Sequence, residues 1–160
     1  MKKILIVSAT LKSNYTLSKD IKGILDNFEN VDSSIILLEN LKLPLYTDNT
    51  LKKEKDNYIK QISDLTNSFI NAHGIIICSP EYNGSIPPIL SNSIAWISTT
   101  TDYWKDAFNN KNVLIGTSSG GSGEKFSMSF RIQLEHLGAI VFPKTINVCT
   151  ENPLILDSTK

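Results

Sequence analysis

Three short polar stretches hold the residues of this sequence that could do chemistry, and each one follows an apolar run. They read SATLKSNYT (8–16), SPEYNGSIPP (79–88) and TSSGGSGEK (117–125). The first combines hydroxyl groups with one positive charge, Lys12, before a helical pattern. This composition suits an anion such as a phosphate, held by backbone amides and the helix dipole. The alternative is that Ser13 or Asn14 only caps the helix.

The other two stretches suit a flat ligand. In the second, the backbone from Glu81 to Gly84 could meet the polar edge of a planar ring, although Asn-Gly is also the mark of an ordinary turn. In the third, Gly120 and Gly121 would let the backbone approach such a ring closely. Its alternative is a flexible connection between two elements.

A rival chemistry comes from GTSSG, residues 116–120, which matches the G-x-S-x-G nucleophile elbow with Ser118 as the nucleophile. Esterase triads of this kind continue with an acid and then a histidine. The only histidine after Ser118 is His136, near the end of the following helical pattern. The sequence therefore favours a ligand loop over a serine hydrolase. No cysteine and histidine cluster has metal-ligand spacing, so no metal site is predicted.

The elements that must position these stretches are short apolar strands alternating with amphipathic helices. Strands are predicted at Lys3–Ser8, Ser34–Glu39, Gly74–Ser79, Lys111–Ser118 and Ala139–Pro143, with TINVC (145–149) a candidate continuation of the last. Helical spacing marks 17–28, 58–69, a segment from Pro88 and 126–137, which Gly138 ends.

Strands that are apolar on both faces indicate a parallel sheet covered on both sides. We therefore predict an α/β flavodoxin-like fold, a doubly wound five-stranded parallel sheet of order 2-1-3-4-5. The carboxyl ends of such strands share one edge, so the three polar stretches should meet there. The tail ENPLILDSTK is short and interrupted by proline. We expect the C-terminal helix to be short or absent, and a partner subunit to cover part of one sheet face.

Composition narrows the class of protein further. The chain has 160 residues, which favours a single domain spanning 1–160. Its 16 basic and 16 acidic residues cancel, which argues against a nucleic-acid partner. No stretch reaches the length of a membrane span. Cys78 and Cys149 do not suggest a disulfide framework, so a cytoplasmic location is expected.

Three segments carry a resemblance to a known family. PEYNGSIPPILSNSIAWIS (80–98) resembles a P-E-Y-N-x-S-x-P-x-x-L-x-N-x-x-x-W signature. The segment 117–143 is similar to an S-x-G-G-x-G loop with its helix and an L-G-A-x-V-x-P strand, and AFNNKNVLI (107–115) resembles an F-x-x-K-x-V run. These motifs are typical of the NADPH-dependent FMN reductases, a flavodoxin-like family with chromate and quinone reductases and some azoreductases. The first loop departs from the family pattern G-S-x-R-x-x-S-x-N-x-x-L: it is shorter, and Leu11 or Lys12 stands where the arginine would be.

The resemblance implies an FMN-dependent enzyme that passes hydride from NADPH or NADH to the flavin and on to a quinone-like or other small acceptor. It implies a homodimer or homotetramer and no catalytic side chain, with Tyr82, Asn83 and Gly84 around the flavin ring. The expected cofactor-binding residues are Ser8, Thr10, Lys12, Ser13, Asn14, Thr16, Pro80, Glu81, Tyr82, Asn83, Gly84, Ser118, Gly120 and Gly121. A flavin-binding electron carrier or redox-responsive protein without its own NAD(P)H turnover stays open. The chain's neutrality disfavours it, because flavodoxin carriers are strongly acidic.

Overall fold

The computed structural model describes residues 1–155 of the chain. Strands and helices alternate within this range. In chain order they are β1 (Lys2–Ser8), α1 (Ser13–Leu25), β2 (Val31–Leu37), α2 (Asp48–Asn71), β3 (Gly74–Cys78), α3 (Pro88–Ser98), β4 (Asn112–Ser118), α4 (Glu124–His136), β5 (Ile140–Val141) and β6 (Ile146–Val148). A short 3₁₀ helix, Leu38–Leu41, follows β2 directly.

All strand pairs are parallel, and the order β2-β1-β3-β4-β5 confirms the predicted flavodoxin-like topology. The register aligns the strand ends. Ser8 at the end of β1 pairs with Cys78 at the end of β3, and Cys78 pairs with Gly116 near the end of β4. The three polar stretches therefore leave the sheet side by side.

The fifth strand is split into two pieces that pair with opposite ends of β4. Asn112 and Val113 pair with β5, whereas Gly116–Ser118 pair with β6. The predicted strand Ala139–Pro143 was too long, because Pro143 has no N–H and the Arg131 guanidinium takes the carbonyls of Phe142 and Pro143 at 2.6 and 3.2 Å. The predicted continuation in TINVC is confirmed, and it brings residues 148–150 to the same edge as the three stretches.

Alternation along the strands divides the core between the two sheet faces. Leu5 and Val7 face the larger cluster, which includes apolar side chains of α2, α3 and α4, whereas Ile6 faces a smaller cluster under α1. Leu154 of the tail packs against the smaller cluster. No helix follows β6 up to residue 155, as expected; the rest of that prediction, 156–160, lies outside the described residues.

Two helix ends have the residues that the sequence predicts there. Proline opens α3 and Gly138, with φ +87°, follows α4, as predicted. Within residues 1–155, no helix combines the length and the apolar character that a membrane crossing requires.

Candidate functional site

A cleft of about 460 Å³ lies at the carboxyl edge of the sheet, where the loops after β1, β3, β4 and β6 meet. Its volume falls in the range typical of small-molecule sites. Its lining residues are Thr10, Leu11, Lys12, Ser13, Asn14, Pro80, Glu81, Tyr82, Ser118, Ser119, Gly120, Val148, Cys149 and Thr150. The three stretches that the sequence singled out therefore border one cavity.

Asn14 joins the first loop to the end of β4. Its side-chain amide donates to the Ser118 carbonyl at 2.8 Å, and its oxygen accepts from the Ser118 amide at 2.9 Å. Asn14 is 1% exposed, and its two hydrogen bonds to Ser118 are partly buried at the edge of the cleft. The side chain holds two walls of the cleft at a fixed separation, and it leaves its own backbone amide free.

The first loop leaves a row of backbone amides open. The first helical hydrogen bond of α1 runs from the Thr16 amide to the Lys12 carbonyl at 2.9 Å, and no side chain caps the helix. Within residues 1–155, no acceptor is present for the amides of Thr10, Lys12, Ser13, Asn14 and Tyr15. Unpaired donors at a helix N-terminus next to a cleft form an anion-binding arrangement.

The loop after β3 makes a tight hairpin turn. Tyr82 and Ser85 exchange backbone hydrogen bonds of 3.1 and 2.9 Å, and the residues between them, Asn83 and Gly84, have φ of +51° and +69°. This conformation is the reason for the Asn-Gly pair. Tyr82 lines the cleft, with its side chain half exposed, whereas Asn83 and Gly84 form the turn tip outside the lining.

Glu81 connects the loops after β3 and β4. Its carboxylate accepts from the Phe126 amide in the first turn of α4 at 3.1 Å, where the helix dipole stabilises a negative charge. Its own amide donates to the Ser119 hydroxyl at 2.8 Å. The Glu81 carboxylate therefore has a structural partner, which fixes the two walls relative to each other.

The glycines of the third stretch differ in what they border. A Cβ added to Gly120 or Gly121 would meet no atom within 4 Å, whereas one added to Gly123 would lie 2.6 Å from Cγ2 of Thr117. Packing therefore requires glycine at 123 but not at 120 or 121. Gly120 lines the cleft and Gly121 does not. Open space beside the Gly120 backbone is what a flat ligand needs.

The two remaining predicted residues do not line the cleft. The Ser8 hydroxyl is buried and donates to the Thr10 carbonyl at 2.8 Å, which stabilises the loop from within. Thr16 lies exposed on α1, one turn past the loop. Binding roles for these two side chains stay predictions without support from the geometry.

Sequence reasoning missed the fourth wall of the cleft, Val148, Cys149 and Thr150, together with Leu11 and Ser119. The segment TINVC could have indicated this wall. A strand parallel to β4 ends at the same edge of the sheet, so the loop that follows it lies beside the other three. The Cys149 thiol is free and partly exposed at this wall, whereas Cys78 is buried.

Neither histidine approaches Ser118. His73 accepts from the Lys3 amide at 3.0 Å at the amino end of the sheet. His136 lies at the far end of α4, about 18 Å along the helix axis from its start, where its ring faces Trp104. The geometry thus gives no support to the hydrolase alternative. In the described part of the chain, no three His, Cys, Asp or Glu side chains are grouped as metal ligands.

The topology defines a flavodoxin-like α/β fold, and the cleft lies at the edge of the sheet where ligands usually bind in this fold. Solved structures agree on this fold. The flavoenzyme NAD(P)H:(acceptor) oxidoreductase FerB from Paracoccus denitrificans superposes with a TM-score of 0.73 at 21% identity, covering 94% of this chain and 82% of FerB. A flavodoxin from the domain Archaea superposes with a TM-score of 0.62 at 14% identity, covering 93% and 83%.

The chain belongs to the NADPH-dependent FMN reductase family, whose model matches residues 2–152. It is 33% identical to a quinone reductase of Escherichia coli over 104 residues, 64% of this chain and 53% of that protein. It is 28% identical to a 2-hydroxy-1,4-benzoquinone reductase of a Burkholderia species over 131 residues, 79% of this chain and 66% of that protein. These matches span between half and two thirds of the relatives' lengths.

The observed site fits the flavin that the family name implies. The open amides of the first loop suit a phosphate, and the open space beside Gly120 suits a flat ring. Tyr82 adds a half-exposed aromatic side chain to the same wall. These features are properties of this chain's own residues.

Proposed function

We propose that this protein is an FMN-dependent NAD(P)H oxidoreductase that reduces a quinone-like or other small acceptor. The observation that carries the proposal is the row of unpaired amides in the first loop, which opens into a cleft bordered by the family's two signature loops. Relatives named as quinone reductases support the acceptor class.

In this proposal the first loop binds the phosphate. The amides of Ser13 and Asn14 donate to it, the dipole of α1 adds a favourable potential, and the Lys12 side chain supplies a positive charge. Asn14 acts through its clamp on Ser118, which keeps these amides in place. The arginine of the family pattern is absent here, so backbone donors provide most of the binding.

The ring would lie between the walls formed by Pro80–Tyr82 and Ser118–Gly120. FMN, when bound, supplies the hydride- and electron-transfer chemistry, and the protein supplies position and electrostatics. The Glu81 and Tyr82 amides are already paired with Ser119 and Ser85, so a backbone donor to the ring from this loop would come from Asn83 or Gly84. Because the flavin supplies the reactive group, the proposal requires no nucleophile or catalytic base.

The test is reconstitution with FMN followed by oxidation of NADH and NADPH, each with and without a soluble benzoquinone. We expect FMN-dependent oxidation of at least one nucleotide and a faster rate with the quinone. Binding of FMN without turnover of either nucleotide would instead identify a flavin-binding electron carrier. Absence of FMN binding would contradict both the oxidoreductase and the electron-carrier function.

We infer further that the protein is a single domain, functions in a reducing compartment and self-associates. Both cysteines are free, which agrees with a cytoplasmic location. Met128 and Ile132, one turn apart on α4, are 68% and 70% exposed, an apolar surface that suits a homodimer or homotetramer. Light scattering on the purified protein measures the oligomeric state, and a monomer at micromolar concentration would contradict this part.

A further inference from the structure

One backbone amide of the first loop, between the unpaired ones, is hydrogen-bonded, and its acceptor is a side-chain carboxylate. The Leu11 amide donates to Oε2 of Glu39 at 2.8 Å. Glu39 lies in the 3₁₀ helix that directly follows β2. Because Leu37 at the end of β2 pairs with Ser8 at the end of β1, this helix is adjacent to the first loop.

The Glu39 contact places a negative charge beside the open amides of the first loop, although Glu39 itself does not line the cleft. Leu11 lines the cleft, and its neighbours Thr10 and Lys12 carry unpaired amides. Among residues 1–155, no salt bridge neutralises Glu39. The Glu39 carboxylate therefore accepts from one amide of the loop, and its negative charge repels a second anion at the remaining amides.

The next residue along the chain is held in a costly conformation. Lys12 has φ +65° and ψ −130°, a region that residues with a Cβ rarely adopt. The Glu39 hydrogen bond fixes the Thr10–Leu11 peptide, which precedes the Leu11–Lys12 peptide next to this position. Glu39 could therefore act on phosphate binding through charge, through loop geometry or through both, and the two effects have opposite signs.

We propose that Glu39 is a specificity-determining residue that competes with the flavin phosphate for the first loop. Its carboxylate lowers affinity for FMN relative to riboflavin, which has the same ring without the phosphate. This inference rests on the proposed function, because it concerns the phosphate end of the same site. We expect charge to dominate, because a phosphate bound at the amides next to Leu11 would be close to the Glu39 carboxylate that Leu11 binds.

The experiment compares Glu39→Gln and Glu39→Ala with the original chain in titrations of FMN and riboflavin, followed by flavin fluorescence. Glutamine retains the shape and an acceptor oxygen but removes the charge. We expect Glu39→Gln to lower the Kd for FMN about tenfold and to leave riboflavin within about twofold. High salt should reduce the difference. Asp32→Asn is the matched control, because Asp32 is exposed at the amino end of β2 and loses the same charge.

The outcomes separate the inference from the proposed function. Equal changes in FMN and riboflavin binding, or weaker FMN binding in Glu39→Gln, would mean that Glu39 only supports the loop, and would overturn the inference. If neither flavin binds to any form, the proposed function fails. A titration with inorganic phosphate, read from the Leu11 and Ser13 amide signals in NMR spectra, then decides the inference alone. Tighter phosphate binding in Glu39→Gln would support it, and an unchanged affinity would overturn it.

Discussion

The amino and carboxyl ends of the parallel sheet treat their backbone polar groups differently. At the amino end, Lys3 exchanges hydrogen bonds with His73 through its amide and its carbonyl, at 3.0 and 2.8 Å. The Lys111 ammonium donates to the carbonyls of Ile70 and Ala72 at the end of α2, at 2.5 and 2.8 Å. At the carboxyl end, the first loop keeps most of its amides open beside a cleft. The end with unpaired donors is the one suited to a ligand.

The two ends also use charge differently. Lys111 is bound to carbonyls and lies partly buried, and burial lowers the pKa of its ammonium. Lys12 lies exposed at the cleft, with its charge available to an anion. Removing the charge of Lys111 should therefore change the stability of a helix end, whereas removing the charge of Lys12 should change ligand binding.

The largest expected effect is on cofactor binding. In Gly120→Val, the new side chain enters open space in the free protein, so the free energy of unfolding should stay within about 0.5 kcal/mol. It would occupy the space proposed for the ring, and overpacking of about 1–3 kcal/mol corresponds to a rise in Kd for FMN of up to about 100-fold. Urea unfolding and a flavin titration measure the two quantities.

The control for this prediction is Gly23→Val. Gly23 also has nothing within 4 Å of an added Cβ, but it is on the exposed face of α1. FMN binding should be unchanged. Normal flavin affinity in Gly120→Val would show that the ring is placed wrongly.

A second prediction uses two asparagines with the same bonding pattern. Asn14 holds both backbone groups of Ser118, and Asn92 accepts from the Tyr46 amide at 2.7 Å and donates to the Pro44 carbonyl at 3.0 Å. Alanine at either position removes two part-buried hydrogen bonds and should cost about 1–3 kcal/mol of unfolding free energy, with Asn92→Ala at the lower end because the Pro44 carbonyl keeps its bond from Nε1 of Trp96 at 2.8 Å. Only Asn14→Ala should also weaken FMN binding, by about tenfold. Equal flavin affinity in the two variants would exclude the clamp as a determinant of the site.

The third prediction concerns the cysteines. Cys149 lines the cleft, so saturating FMN should slow its alkylation by iodoacetamide at pH 8 several-fold. Burial raises the pKa of Cys78 to about 11, so this thiol stays protonated at pH 8 and should not react in the folded protein. Peptide mass spectrometry reports both sites. An equal Cys149 rate with and without FMN would place the ligand elsewhere.

The smallest effect is expected at the amino end. Lys111→Met removes two hydrogen bonds to the end of α2 and should lower the unfolding free energy by about 1 kcal/mol. FMN affinity should not change, because the site lies at the other end of the sheet. A shift in both quantities would show that the two ends are coupled.

The sequence predicted the sheet and the three loops because their signals are local. Apolar runs identify strands, and parallel pairing brings the strand exits to one edge. The Asn14–Ser118 clamp joins positions 104 apart and depends on the exact register of β1, β3 and β4. The sequence predicted Asn83 and Gly84 at the cleft, because an Asn-Gly pair is typical both of a tight turn and of a ligand-binding loop. In the structure the pair forms the tip of a turn outside the cleft lining. Glu39 went unnoticed because its partner is a backbone amide on another loop.

The proposed flavin site at the carboxyl edge is tested most directly by an FMN titration followed by the backbone amide signals in NMR spectra. We predict one bound FMN per chain and large shifts for the amides of Thr10, Lys12, Ser13, Asn14 and Tyr15, with the amide of Lys3 at the amino end unmoved. Absence of binding, or shifts centred on the amino end of the sheet, would contradict the proposed site.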